Sequence, residues 1–183
     1  MNEAQKTIAV MSNIEKEMFK GEGIDIGCGP KPAFENAIGF DLKDGDANYI
    51  TEHVDKQFDF VFSSHCLEHM VDPITALYEW WKLVKPGGYL YIVVPDEDLY
   101  EQGCFPSRFN SDHKWTFTIC KDKSWSPKSC NLFNMARVLP DAHIINISLQ
   151  DYGYDRNKRG IDQTLSAAMA QIKLIARKRG SPV

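Results

Sequence analysis

Three observations predict an α/β domain with a mostly parallel sheet flanked by helices. The apolar run Gly23-Ile24-Asp25-Ile26 opens into Gly27-Cys28-Gly29-Pro30, the pattern of a buried strand entering a tight loop. Phe58-Asp59-Phe60-Val61-Phe62 and Tyr89-Leu90-Tyr91-Ile92-Val93-Val94 are continuous apolar stretches, as expected of strands covered on both faces. Between them Ile74, Leu77, Trp81 and Val84 recur at helical spacing behind Asp72-Pro73, a capping acid and a first-turn proline.

The glycine loop organises the rest of the chain. Glycine has no Cβ, so a ligand can lie against the main chain there. A dinucleotide fingerprint needs a third glycine three residues after the second and an acid about 20 residues further on. Here that position is Pro32, and Asp41 comes too early, at the end of the next apolar run Ala37-Ile38-Gly39-Phe40. A P-loop would need Gly-Lys-Ser/Thr, which is absent. What remains is a nucleoside ligand without a pyrophosphate, its ribose held by an acid at the end of the second strand, and S-adenosylmethionine (SAM) has that form.

Gly23 to Pro30, Gly39-Phe40-Asp41-Leu42, the stretch Phe58 to His69 and Leu83-Val84-Lys85-Pro86-Gly87-Gly88-Tyr89-Leu90 follow one another along the first half of the chain. Together they resemble the motifs of class I SAM-dependent methyltransferases of the small, single-domain type 11-like kind. The resemblance implies a Rossmann-like fold and SAM as cofactor. It places the cofactor on Asp25, Gly27, Cys28 and Gly29 in the loop, on Asp41 and Leu42, on Thr51 or Glu52 after a third strand Ala47 to Ile50, and on Ser63, Ser64 and His65 after the fourth strand. Asp41 would accept hydrogen bonds from both ribose hydroxyls, and Thr51 or Glu52 would meet the adenine amino group. A turn-starting role is the alternative for Asp41, since Lys43-Asp44-Gly45-Asp46 follows.

At 183 residues the chain, residues 1–183, is expected to form one domain. A net charge of -4 provides no basic field for nucleic acid. Five cysteines, odd in number and without a Cys-x-x-Cys pair, point to a reducing compartment. The N-terminus lacks the basic start and apolar run of a signal peptide, and no stretch approaches the roughly 18 apolar residues of a membrane span. A cytoplasmic location is the expectation, with no membrane partner; the oligomeric state is left open.

Ile8, Met11, Ile14 and Met18 predict a helix within residues 1–20. His65-Cys66-Leu67-Glu68-His69 spells His-x-x-Glu-His, a zinc-protease signature that needs both histidines on one helix and a distant third ligand. The stretch follows a strand and precedes a helix start, so no metal is expected; the resemblance implies that Glu68 and His69 brace the loop. Trp81 is assigned to the core rather than to a cage for the sulfonium. Lys85-Pro86-Gly87-Gly88 stops the helix.

Beyond Pro95 the resemblance implies that the following segment shapes an acceptor pocket. The stretch from Pro106 to Asn110 running into Asp112-His113-Lys114-Trp115 resembles short methyltransferase-like proteins of surface-glycan gene sets, which points to a sugar or small-molecule hydroxyl; a polar hairpin is the alternative. Ser129 to Leu139 is expected as a helix, Ala142 to Leu149 as a sixth strand, and Leu165, Ala168, Met169, Ile172, Ile175 and Ala176 as the stripe of a last helix with the basic end Arg177-Lys178-Arg179.

Methyl transfer from a sulfonium needs mainly an acceptor aligned with the methyl group and shielded from water. Where a base is also needed, His113, His65 and Asp96 are the candidates, in that order. Two other classes remain open: a non-catalytic SAM-fold module that binds or pairs with an active partner, and an NAD-binding protein, disfavoured by Pro32 and the early Asp41.

Overall fold

The computed structural model describes residues 3–180; Met1, Asn2 and residues 181–183 of the expected domain lie outside the described residues. In chain order the elements are α1 (Glu3–Ala9), α2 (Asn13–Glu17), β1 (Gly23–Ile26), β2 (Ala37–Phe40), β3 (Phe58–Ser64), α3 (Pro73–Lys82), β4 (Val84–Pro95), β5 (Thr116–Thr118), β6 (Ser129–Asn131), α4 (Leu132–Ala136), β7 (Ala142–Gln150) and β8 (Gln171–Lys178). Short 3-10 turns occupy Ala47–Glu52, Leu67–His69 and Gln163–Leu165, and one π-helical turn spans Glu97–Glu101.

Every residue of β1 is buried, and this strand pairs in parallel with β2 on one side and β3 on the other. β3 pairs in parallel with β4, whereas β8 runs antiparallel to both β4 and β7, giving the order β2-β1-β3-β4-β8-β7. β5 and β6 form a separate two-stranded parallel sheet. The expected fold class therefore holds, with a mostly parallel central sheet. Among the described residues no helix is long and apolar enough to cross a membrane.

Alternation along the strands sends side chains to two cores. Val61, Leu90, Ile92, Val94, Ile172, Leu174 and Ala176 meet Ala76, Leu77, Trp80 and Trp81 of α3 and Leu132, Met135 and Ala136 of α4. Phe60, Phe62, Tyr91, Val93 and Ile175 face the other way, onto Met11, Phe19 and Phe34. No helix occupies the short connection between β1 and β2, so this second face is closed by the N-terminal segment and by aromatic stacking, with Phe19 and Phe34 4.1 Å apart. Both indoles of α3 are core, each with its N–H donated to a carbonyl: Trp80 to Ala47 and Trp81 to Pro140, both at 2.8 Å.

Five expectations about elements are corrected. Residues 3–17 form two short helices rather than one, because Ser12 and Glu15 make a reciprocal capping box that starts α2 afresh; Ile14 is left 75% exposed. Ala47 to Ile50 is not a strand: the Asp46 carboxylate accepts the Asn48 N–H at 2.9 Å and starts a 3-10 turn, so β2 is the sheet edge. On α3 the buried face is Ala76, Leu77, Trp80 and Trp81 while Ile74 is exposed, and Val84 already belongs to β4, paired with Phe58.

The stretch expected as a helix over Ser129 to Leu139 begins as β6, paired to Thr116–Thr118, and becomes helical only after Asn131 caps α4. Its predicted inner residues Leu132, Met135, Ala136 and Leu139 are nevertheless buried. The largest departure is the last element, which is β8 and not a helix. Its hydrogen bonding to β4 and β7 and the burial of both its faces outweigh the helical spacing. In the basic end Arg177 and Arg179 are exposed, while Lys178 Nζ donates to the carbonyls of Trp81 at 3.2 Å and Val84 at 3.0 Å.

Candidate functional site

A cavity of about 580 Å³ opens at the carboxyl ends of β1, β2 and β3, where open parallel sheets place their ligands. Gly27, Phe40, Asp41 and Leu42 form one wall, Asp46, Ala47 and Asn48 another, and His65, Cys66, His69 and Met70 the floor, with Asp112 and Lys114 at the far side.

The glycine loop is shaped by two left-handed residues. Gly27 has φ +76°, and a Cβ there would stand 2.6 Å from Cys66 Cβ. Gly29 has φ +65° with open space where its Cβ would be. Its N–H donates to Asp41 Oδ2 at 2.6 Å, and the Leu42 N–H donates to Asp41 Oδ1 at 2.8 Å. Asp25 is buried beneath the loop and accepts the Ala33 N–H at 2.7 Å. Burial pushes its carboxyl up to about 6; the Ala33 hydrogen bond opposes the rise and the charge of Asp41 adds to it. Cys28 packs its sulfur over Gly39, where a Cβ would meet it at 2.6 Å, and burial raises its thiol pKa.

Of the residues expected to hold a cofactor, Gly27, Asp41, Leu42 and His65 line the cavity, while Cys28 and Gly29 belong to the loop and Asp25 to β1 beneath it. Ser63 is fully buried, donating to the Ile26 carbonyl at 2.9 Å, and Ser64 Oγ is buried with no hydrogen-bond partner among the described residues. Thr51 and Glu52 do not reach the cavity. Thr51 donates to Glu79 of α3 and faces a separate depression with Val54 and Lys82, and Glu52 is exposed. The polar side chains that stand in their place are Asp46 and Asn48, which the sequence reading passed over; the Asp-Gly-Asp turn before a capped residue was the available signal. Asn48 Oδ1 also accepts the Val71 N–H at 2.9 Å, tying this wall to the start of α3.

The three candidate bases separate. Asp96 caps the π-helical turn, accepting the N–H groups of Asp98 and Leu99 at 3.1 and 3.0 Å; burial pushes its carboxyl up to about 6, against those hydrogen bonds. His113 is buried, with Nδ1 2.7 Å from Glu101 Oε1. His65 lines the cavity in a left-handed conformation, φ +56°, unusual for a residue with a Cβ. Its Nε2 lies 3.0 Å from Gln171 Oε1. The Gln171 amide nitrogen donates to Thr7 Oγ1 at 3.0 Å and Gln150 Oε1 at 2.7 Å, so its oxygen faces His65. His65 Nε2 therefore donates to Gln171, while Nδ1 lies 3.6 Å from Glu68 Oε1.

The segment Asp112-His113-Lys114-Trp115 is a strap across the turn Leu67–His69. The N–H groups of Lys114 and Trp115 donate to the Glu68 carbonyl at 2.8 and 3.2 Å, and Lys114 Nζ donates to the His69 carbonyl at 2.8 Å. Glu97, fully buried, fixes the far side of the strap by accepting from Thr116, Ser124 and Ser129 at 3.0, 2.7 and 2.6 Å.

An open, mostly parallel sheet with a glycine loop after its first strand and an acid after its second defines a class of α/β domains that bind nucleoside cofactors. A family model described as a methyltransferase domain matches residues 5–161, and the chain belongs to that family. The ubiquinone biosynthesis O-methyltransferase of Pseudomonas aeruginosa is 32% identical over 75 residues, a match covering 38% of this chain and 32% of the relative. Among solved structures, a SAM-dependent methyltransferase from Thermotoga maritima superposes with a TM-score of 0.54 at 16% identity, over 97% of this chain and 88% of that one. A second, from Methanosarcina mazei, gives 0.55 at 13% identity, over 93% and 99%. SAM is the cofactor of this family.

Proposed function

We propose that the chain transfers the methyl group of SAM to a hydroxyl of a small molecule or sugar. The observation that carries this reading is the continuity of one cavity from the glycine loop and Asp41 to His65, His69 and the strap. The residues present fit the cofactor: Gly29 leaves open space over the loop, and Asp41 offers carboxylate oxygens beside it. Asp41 is assigned to the ribose hydroxyls, and Asp46 to the adenine amino group in place of Thr51 or Glu52. SAM supplies an already activated methyl group. The task of this chain is then to hold the acceptor in line with it and to exclude water.

Of the three candidate bases, His65 is the one that lines the cavity, and that position suits it to take the hydroxyl proton. An oxygen acceptor is supported by the printed name of the Pseudomonas relative. The sugar remains the reading of the strap sequence alone. Five free cysteines support a reducing, cytoplasmic setting.

Thermal unfolding with excess SAM, S-adenosylhomocysteine or NAD tests the cofactor, because a ligand bound by the folded state alone raises the midpoint by mass action. A rise with the first two and none with NAD is expected. No rise with SAM would put the non-catalytic module ahead, and a rise with NAD alone would restore the dinucleotide reading.

A further inference from the structure

The geometry points to a divalent metal site built by Glu68, His69 and His113, with His69 on the floor of the cavity and the two buried side chains beneath it. Glu68 is wholly buried, and neither of its carboxylate oxygens has a hydrogen-bond partner among the described residues. His69 Nε2 and His113 Nε2 each lie 3.9 Å from Glu68 Oε1, too far for a hydrogen bond. One ligand atom from each of the three residues lies within 4.8 Å of the other two. The edge of a tetrahedron with bonds of about 2.1 Å is roughly 3.4 Å, so a small closure brings all three into contact with one ion.

The protons are arranged for a cation. His69 Nδ1 faces Asp112 Oδ2 at 2.8 Å and His113 Nδ1 faces Glu101 Oε1 at 2.7 Å. Each carboxylate accepts a hydrogen bond from the Nδ1–H of its histidine, which leaves the lone pair on Nε2, on the Glu68 side. A carboxylate behind each ligating imidazole is the usual way of fixing its tautomer and orientation at a metal.

Charge argues the same way. Glu68 and Glu101 are both buried, and the basic side chains found within 4 Å of their carboxylates among the described residues are histidines. A dication between the two imidazoles and Glu68 would balance them, which no fixed lysine or arginine does.

Two imidazoles and a carboxylate suit zinc and neighbouring divalent ions. Three protein ligands leave a position open, as in catalytic sites. His65 Nδ1, 3.6 Å from Glu68 Oε1, borders that position. The ligand set is thus not the helical pair that His-x-x-Glu-His spells: His65 is turned to Gln171, and the strap supplies His113 instead. The expectation of no metal considered that stretch alone.

The test is a zinc titration of chelator-stripped protein against a chromophoric chelator, with cobalt absorption as a second readout of the ligand geometry. One zinc per chain is expected, with affinity falling about a hundredfold or more in Glu68→Gln and His113→Asn. The exposed Asp112 allows a variant with little risk to folding. Asp112→Asn should weaken zinc about tenfold, while His143→Asn, an exposed histidine on β7, should change nothing. Absence of stoichiometric zinc on folded wild-type protein overturns the site, as does an unchanged affinity in Asp112→Asn. A parallel SAM titration separates the two readings: zinc without SAM sinks the cofactor assignment alone, and SAM without zinc sinks the metal site alone.

Discussion

Asp41 accepts the N–H of Gly29 at 2.6 Å, so the acid after the second strand and the glycine loop after the first form one hydrogen-bonded unit at the cleft. The bond turns Gly29 toward Asp41 while a second carboxylate oxygen accepts from Leu42, and the acid's remaining lone pairs are available to a ligand.

Replacing Asp41 by Ala is expected to weaken SAM binding by roughly thirtyfold, about 2 kcal/mol for hydrogen bonds to a charged group. The fold should persist, because Asp41 lies at the partly open mouth of the cavity. Calorimetric titration with SAM reads this directly; an affinity equal to wild type would remove the ribose role.

Gly27 and Gly29 should respond differently to a side chain. Gly27→Val combines a left-handed backbone with a clash on Cys66, whereas Gly29→Ala meets only the backbone cost, since its Cβ would enter open space. Stability losses of about 2–4 kcal/mol and about 1 kcal/mol are expected in denaturant unfolding, with SAM binding abolished in the first. Equal losses would contradict the packing of Cys66 beneath the loop.

Asp25 makes a pH prediction. Its carboxyl is raised to about 6 in the fold, chiefly by burial, from an ordinary value of 3.8. The folded state therefore holds a proton that the unfolded state releases, and the stability this contributes is full below about pH 4 and lost as pH rises through about 6. Asp25→Asn removes that dependence while its amide oxygen can still accept the Ala33 N–H. Relative to the variant, wild type should lose up to about 3 kcal/mol between pH 4 and 7. Parallel stability profiles for the two proteins would refute a raised Asp25.

Trp80 links the core to the cavity wall through its indole N–H on the Ala47 carbonyl. Trp80→Ala should cost about 3–5 kcal/mol, and Trp80→Phe about 1–2 kcal/mol through the lost hydrogen bond and volume. The Phe variant is also expected to bind SAM less well, because Ala47 lines the cavity. Denaturation and SAM titration on the same samples check both; full SAM affinity in a clearly destabilised Phe variant would uncouple the wall from the core.

The first half of the chain was legible because its signals are local. Gly27 and Gly29 take the left-handed angles that only glycine adopts cheaply, Asp72 and Pro73 start α3, and the apolar runs at Phe58 and Tyr89 are buried strands. Thr51 and Glu52 were misplaced because a capping side chain, Asp46, turned a short apolar stretch into a 3-10 turn and ended the sheet at β2. Which histidine joins Glu68 was equally out of reach, since His113 arrives from a strap fixed by main-chain bonds to the turn it crosses.

By itself, then, the sequence determined the family, the glycine loop and the acid beside it, since each depends on backbone preferences within a few neighbouring residues. The last element was decided by tertiary structure alone. Ile172, Ile175 and Ala176 suit a helical stripe, yet Ile172, Leu174 and Ala176 also alternate onto one face of a strand, and the exposed Leu165 drops out of the stripe altogether. The hydrogen-bonding edge of β4 resolved that ambiguity. Pairing Tyr89 to Pro95 with Arg177 to Gln171 satisfies the backbone of both segments and buries β8 on both faces.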